Sequence, residues 1–229
     1  VEQLAAAGYS PGLMSAGLGT VLPGQTYLDV TQGNRIFNSL YDESLPPLPA
    51  SGDEAACAEW FEAATERGAG APAEIDPNLL GSELHLHGVA VDRSGPSACA
   101  FGGSQGTIGD PASSLGYFES ANASMRKARI AARSVGDKGM VIAIARPTGA
   151  GDDPLPIGIA GRGFGGDLTS DSTRTNGYVL STDIAPTVLG RFGVPVPGEM
   201  SGQQITTEGS VDPAAIVARG ERMGVISHR

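Results

Sequence analysis

The chain lacks the long apolar segments that membrane insertion needs. It contains no run of about 18 apolar residues and no basic start followed by an apolar stretch, so nothing predicts a membrane-spanning helix or a signal peptide. Its 229 residues are 40% hydrophobic and 17% charged, which is ordinary for one soluble globular domain. We therefore expect residues 1–229 to form a single domain.

Positive charge is also scarce. The sequence has 15 lysines and arginines against 25 aspartates and glutamates, which gives a net charge of −10. Affinity for nucleic acids rests on cations that neutralise phosphates. The charge balance therefore argues against DNA or RNA as a partner.

Cysteine and tryptophan are nearly absent. The two cysteines, Cys57 and Cys99, are compatible with a disulfide in an oxidising compartment and equally with two buried thiols. The lone Trp60 lies in a predicted helix over residues 51–67, and it belongs to an apolar stripe at helical spacing. We therefore interpret Trp60 as a core residue rather than as part of a ligand site.

Helical and strand patterns alternate along the chain. Helices are predicted over residues 51–67, 77–87 and 118–135, and strands over residues 89–91, 140–145 and 155–160. The run at 140–145, MVIAIA, is continuously apolar, as expected of a central strand covered on both sides. The alternation predicts an α/β domain, a three-layer sandwich with a largely parallel central sheet and helices on both faces.

The most specific local pattern is a strand that leads directly into a helix. Tyr178–Leu180 is a short apolar strand, and Ser181, Thr182 or Asp183 can cap the helix that follows. Gly193 and the prolines after it end this helix. The Asp183 carboxylate is expected to accept backbone N–H bonds at this junction, either capping the helix or tying down the end of the strand. Its replacement by alanine should cost about 1 kcal/mol, the usual loss of a cap. The apolar positions of this helix are Ile184, Val188, Leu189 and Phe192.

Residues 183–205, DIAPTVLGRFGVPVPGEMSGQQI, resemble a late block of the alkaline-phosphatase-like superfamily. This superfamily includes sulfatases, nucleotide phosphodiesterases and cofactor-independent phosphoglycerate mutases. Residues 154–174 and 12–35 are similar to the matching strand and opening region of a bacterial subgroup. The resemblance implies the α/β scaffold, a site for two divalent ions such as zinc or manganese, and a threonine, serine or cysteine nucleophile at a helix start.

Thr20 and Thr26 are the candidates for the nucleophile that the resemblance implies. Metal-dependent members also carry Asp-His-Gly after the strand matching residues 140–145, where this chain reads Arg-Pro-Thr-Gly at 146–149. They carry a histidine two residues before the Asp of the late block, where this chain has Ser181. None of these replacements offers zinc an imidazole or a carboxylate. Asp183 is left as a candidate metal ligand.

These replacements predict a degenerate member of the superfamily that has no cofactor and is not an enzyme. We expect a binding or structural module whose partner is a protein or a small molecule, with a C-terminal tail over residues 205–229. The family's first strand, which carries a metal-binding Asp, would precede Val1. The resemblance also implies a place outside the cytoplasm, with membrane attachment through segments not in this chain. The alternative is a metal-dependent hydrolase or transferase of phosphate or sulfate esters that uses Thr20 or Thr26.

Overall fold

A four-stranded sheet organises the part of the chain that the computed structural model describes. The described residues are 1–15, 23–34, 48, 54–70, 76–77, 79–93, 114–117, 124–137, 139–145 and 154–227. The strands, numbered in chain order, are β1 (Ser10–Ser15), β2 (Ala90–Arg93), β3 (Ser114–Tyr117), β4 (Met140–Ile144), β5 (Leu155–Gly161), β6 (Asp167–Thr169), β7 (Tyr178–Leu180) and β8 (Thr206–Glu208). The central sheet has the order β4-β5-β1-β7, while β2 pairs with β3 and β6 with β8.

The helices lie between and around these strands. They are α1 (Glu2–Ala6), α2 (Pro23–Gln32), α3 (Glu54–Ala69), α4 (Leu79–Leu86), α5 (Ser124–Ser134), α6 (Ile184–Arg191) and α7 (Pro213–Ser227), and a 3-10 turn (Ser181–Asp183) joins β7 to α6. The molecule is thus a mixed α/β structure, as the sequence predicts. None of the described helices combines the length and apolar character that crossing a membrane requires.

The prediction of a largely parallel sheet is not confirmed, because the central sheet is mixed. In it, β4–β5 and β5–β1 are antiparallel and only β1–β7 is parallel. Residues 145–154 join β4 to β5, and a connection this short suits a hairpin, whereas a parallel crossover needs about a dozen residues or more. The apolar strand β4 lies at one end of the described sheet order rather than at its centre.

Alternate residues of β4 and β5 point into two different apolar clusters. Ile157 and Ile159 belong to the first cluster, and Ala160 belongs to the second. Successive strand residues point to opposite faces, so the two clusters lie on opposite sides of the sheet. The first cluster receives side chains from α2, α3, α4 and α6, and the second receives them from α1 and α5.

Several predicted core features are confirmed. Trp60 is only 3% exposed and belongs to the first cluster. Strand β7 has the predicted bounds, and α6 ends where Gly193 takes a φ of +70°. The amide of Val194 then closes the helix end by donating to the carbonyl of Leu189 at 2.9 Å, an arrangement typical of glycine C-caps. Cys99 lies outside the described residues, so the pairing of Cys57 with Cys99 stays a prediction.

The second cluster contains one tyrosine whose hydroxyl is buried. Tyr9 is 2% exposed, and its hydroxyl donates to the carbonyl of Ala128 in α5 at 2.7 Å. Burial raises the pKa of Tyr9 to about 12, because the phenolate would lose its hydration there. This hydrogen bond attaches α5 to the start of the chain.

Candidate functional site

The carboxyl ends of the parallel pair β1 and β7 meet, with Ser15 opposite Leu180. The 3-10 turn and α6 follow directly, so polar groups collect where the two strands end. In open α/β sheets, this is the edge at which ligand sites form. We call this group the strand-end cluster. Its buried members are Ser15, Thr26, Asp29, Ser181, Thr182 and Asp183.

Asp183 is the most completely bonded side chain of the strand-end cluster. It is 0% exposed. One carboxylate oxygen accepts from the Ser170 hydroxyl at 2.6 Å and from the Leu180 amide at 2.9 Å. The other accepts from the Ser172 hydroxyl at 2.6 Å and from the Gln203 amide at 3.0 Å. A carboxylate offers about four lone-pair positions, and here each has a protein donor.

The sequence predicts two alternative roles for Asp183, capping α6 or tying down the end of β7, and the structure has the second. Asp183 stands at the N-cap position, but its side chain makes no capping hydrogen bond to the helix. The carboxylate points back toward β7 and the neighbouring segments, where it binds the amides of Leu180 and Gln203. As a candidate metal ligand, Asp183 does not fit a metal ion either, because its oxygens already carry four donors.

A strap formed by residues 199–205 crosses this end of the molecule. The amides of Ser201 and Gly202 both donate to the carbonyl of Gly33, at 3.1 and 3.2 Å. The amide of Ile205 donates to the hydroxyl of Thr187 at 2.8 Å, and that hydroxyl donates to the carbonyl of Asp183 at 2.5 Å. The strap thus joins the end of α2 to the first turn of α6.

Close backbone contact explains the glycine in the strap. A Cβ atom at Gly202 would lie 2.0 Å from the carbonyl oxygen of Thr182 and 2.5 Å from its carbon. Both atoms are backbone, so they cannot move aside as a flexible side chain could. The M-x-G pattern at Met200 and Gly202 therefore has a packing reason here, since a Cβ atom at Gly33 would also lie only 2.8 Å from Cγ of Met200.

Ser181 contrasts with Asp183 although only one residue separates them. Ser181 is 1% exposed, and its hydroxyl has no hydrogen-bond partner among the described residues. Buried polar groups usually have partners, and leaving one unpaired costs about 1–3 kcal/mol. If the resemblance to the superfamily holds, Ser181 occupies the position of its metal-binding histidine, and a neutral serine hydroxyl is not an effective zinc ligand. Ser181 and Asp183 therefore do not fit a two-metal site.

Of the two candidate nucleophiles, Thr20 and Thr26, the structure describes only Thr26. Thr26 lies in the first half of α2 and is 1% exposed, so a substrate cannot reach its hydroxyl in this conformation. Thr20 lies outside the described residues, as do residues 146–149. Within the described ranges, no group of three or more His, Cys, Asp or Glu side chains is placed to hold a metal ion.

Sequence reasoning missed the partners of Asp183. Ser170, Ser172 and Gln203 lie 13, 11 and 20 positions away from it along the chain. The S-x-S spacing at 170–172 offers no strand-like signal, because residues 171–173 form a turn after β6. No local rule connects that spacing to a particular aspartate.

Comparisons with known proteins add no further assignment at this site. No protein-family model, no curated protein and no solved structure matches the chain. The likeness to the alkaline-phosphatase-like superfamily therefore rests on the sequence alone, on residues 183–205 and more loosely on residues 154–174 and 12–35.

Proposed function

We propose that the chain is a non-catalytic, alkaline-phosphatase-like domain that acts as a binding or structural module. The observation that carries this proposal is the state of Asp183, a fully buried carboxylate with a protein donor at each of its four lone-pair positions. Metal-ligating carboxylates must offer an oxygen to the ion. The oxygens of Asp183 instead accept hydrogen bonds from the strap and from the strand end, and so hold both in place.

The surroundings of Asp183 support the same proposal. A serine hydroxyl without a partner replaces the family's histidine at Ser181. Thr26 is buried in α2 and cannot attack a substrate from there. We also propose that the domain has the family's three-layer sandwich with helices on both faces of the sheet; a largely parallel sheet stays a prediction. The domain has no cofactor, and its partner is a protein or a small molecule.

A combined metal and turnover assay tests the proposal. The protein is incubated with zinc or manganese, desalted and measured by elemental analysis, and is then assayed against an aryl phosphate, a phosphodiester and an aryl sulfate. We expect no stoichiometric metal and no turnover above a protein-free control. Two ions per chain, together with turnover that Thr26→Ala abolishes and Thr26→Ser retains, would overturn the proposal in favour of a threonine-dependent hydrolase. Thr20→Ala and Thr20→Ser provide the matched pair for the other candidate.

We further propose that the domain lies outside the cytoplasm, attached to a membrane through segments not in this chain. This placement follows the resemblance to the bacterial subgroup and is independent of the catalytic question. Protease treatment of intact cells should release or destroy the domain. Full protection in intact cells, with digestion only after lysis, would contradict the placement.

A further inference from the structure

Helix α5 carries a row of exposed arginines. Arg126, Arg129 and Arg133 are all exposed, and their spacing of i, i+3 and i+7 places them on one helix face. We call these residues the basic triad. Helix α5 contains no acidic residue, although the chain as a whole has a net charge of −10. Ile130 lies on the same face and is 61% exposed.

Helix α3 carries a row of exposed glutamates with the same spacing. Glu59, Glu62 and Glu66 are exposed, again at i, i+3 and i+7. We call these residues the acidic triad. The ion pair between His87 and Glu83 includes no member of either triad. Neither triad is neutralised by an ion pair within the described part of the chain.

The two triads lie on opposite sides of the molecule. Trp60 and Ala64 attach α3 to the first apolar cluster, whereas Ala128 attaches α5 to the second. Because these clusters lie on opposite faces of the sheet, the triads of one molecule cannot meet each other. Each triad can, however, meet the opposite triad of another copy.

We propose that copies of this chain associate head to tail, with the basic triad of one copy docked against the acidic triad of the next. With α5 and α3 aligned in parallel, the equal spacing brings Arg126, Arg129 and Arg133 opposite Glu59, Glu62 and Glu66 in turn. Ile130 loses water in the same contact. Because two different patches on opposite faces are used, the contact does not close into a two-fold dimer, and larger assemblies form as concentration rises.

The association is weak and depends on salt. Exposed ion pairs contribute little each, so we expect a dissociation constant on the order of 1 mM at low salt. The Debye length falls from about 30 Å at 0.01 M salt to about 3 Å at 1 M. The association constant should therefore fall at least about tenfold over that range.

Charge reversal tests the proposal with matched variants. One variant carries Arg126→Glu, Arg129→Glu and Arg133→Glu, and the other carries Glu59→Arg, Glu62→Arg and Glu66→Arg. Average mass is measured by small-angle X-ray scattering over a concentration series at low and high salt. We expect wild type to grow beyond a dimer at low salt, each variant alone to stay monomeric, and an equimolar mixture of the two variants to associate again.

Three results would overturn the proposal. These are a wild type that stays monomeric at low salt, a reversed variant that associates as wild type does, or an equimolar mixture that stays monomeric. Glutamine replacements in each triad serve as second variants if a reversed variant does not fold, and circular dichroism checks the fold of each protein.

A further experiment measures binding of each protein to vesicles that contain an anionic phospholipid. Binding to them through the basic triad by a protein that remains monomeric would assign this face to a lipid surface instead.

Discussion

Helices α6 and α5 are held in the molecule in opposite ways. Residues 184–189 of α6 are all buried, its first turn contacts the strap, and Arg191 in its last turn donates to the carbonyls of Arg162, Asp137 and Gly139. Helix α5 is attached by a small cluster and by the hydrogen bond from Tyr9. The comparison shows that α6, in residues 183–205, is part of the buried interior, whereas α5 exposes charged side chains to solvent.

The largest effect should come from removing the carboxylate beside α6. Asp183→Ala leaves two backbone amides and two hydroxyls without their acceptor, so we expect a loss of about 4 kcal/mol in the free energy of unfolding. Asp183→Asn should lose about half as much, since it keeps one acceptor oxygen. The measurement is denaturant unfolding of both variants, with and without a chelator.

Asp171→Ala is the matched control for Asp183, because Asp171 is exposed in the same segment as the two serines. It should change the free energy of unfolding by less than about 0.5 kcal/mol. A loss of only about 1 kcal/mol in Asp183→Ala would mean that Asp183 acts as a simple cap. Equal losses for alanine and asparagine, with a wild type that the chelator destabilises, would identify a metal ligand.

A smaller effect should come from crowding the strap. Gly202→Ala places a methyl group 2.0 Å from the carbonyl oxygen of Thr182, so the strap has to move away from the 3-10 turn. Overpacking of this kind costs about 1–3 kcal/mol, and we expect the upper end because the obstacle is backbone. Thermal unfolding measures the change.

Gly198→Ala is the control for the strap, because a Cβ atom at Gly198 would have no heavy atom within 4 Å. It should leave the unfolding transition nearly unchanged. If Gly202→Ala and Gly198→Ala were equally stable, the strap would not be packed tightly against the 3-10 turn. The conclusion that α6 is held more firmly than α5 would then be wrong.

The smallest effect concerns the attachment of α5 and depends on pH. The folded state raises the pKa of Tyr9 from 10.0 to about 12, so it holds the proton more tightly than the unfolded state does. The resulting stabilisation is fully present below pH 10.0 and is lost as the pH rises toward about 12. Linkage gives a loss on the order of 2 kcal/mol over this window.

Tyr9→Phe isolates that contribution. Below pH 10.0, the variant should be less stable than wild type by about 1 kcal/mol, because the carbonyl of Ala128 loses its donor,. As the pH rises, the difference in unfolding free energy between the two proteins should shrink and then reverse. A difference that stays constant across the window would contradict the burial of the Tyr9 hydroxyl.

Local patterns were sufficient to predict the elements around α6. The apolar residues of Tyr178–Leu180 and the helical spacing from Ile184 gave the strand and helix close to their observed bounds. The direction of β4 relative to β5 was not predictable, because the apolar pattern of a buried strand is the same in parallel and antiparallel sheets. The order of the strands depends on tertiary pairing and not on any single segment.

The chemistry of the candidate site was less predictable than its position. Sequence placed Asp183 at the junction of strand and helix, which is where it lies. It left two roles open for Asp183, a helix cap or a tie to the strand end, since both are decided within a few residues. The actual donors come from Ser170, Ser172 and Gln203, and such distant contacts follow from how the chain folds back on itself. The unpaired hydroxyl of Ser181 is likewise visible only after the neighbours are placed.

The position of β1 has a consequence for how the protein is made. In the central sheet, β1 lies between β5 and β7, with Ser10 opposite Ile159 and Ser15 opposite Leu180. During synthesis, the first strand therefore leaves the ribosome long before either neighbour exists. Contacts between such distant segments slow folding, because a large loop must close before they form. Until then β1 has two unpaired edges, and a nascent chain in that state is open to wrong strand pairing and to chaperone binding.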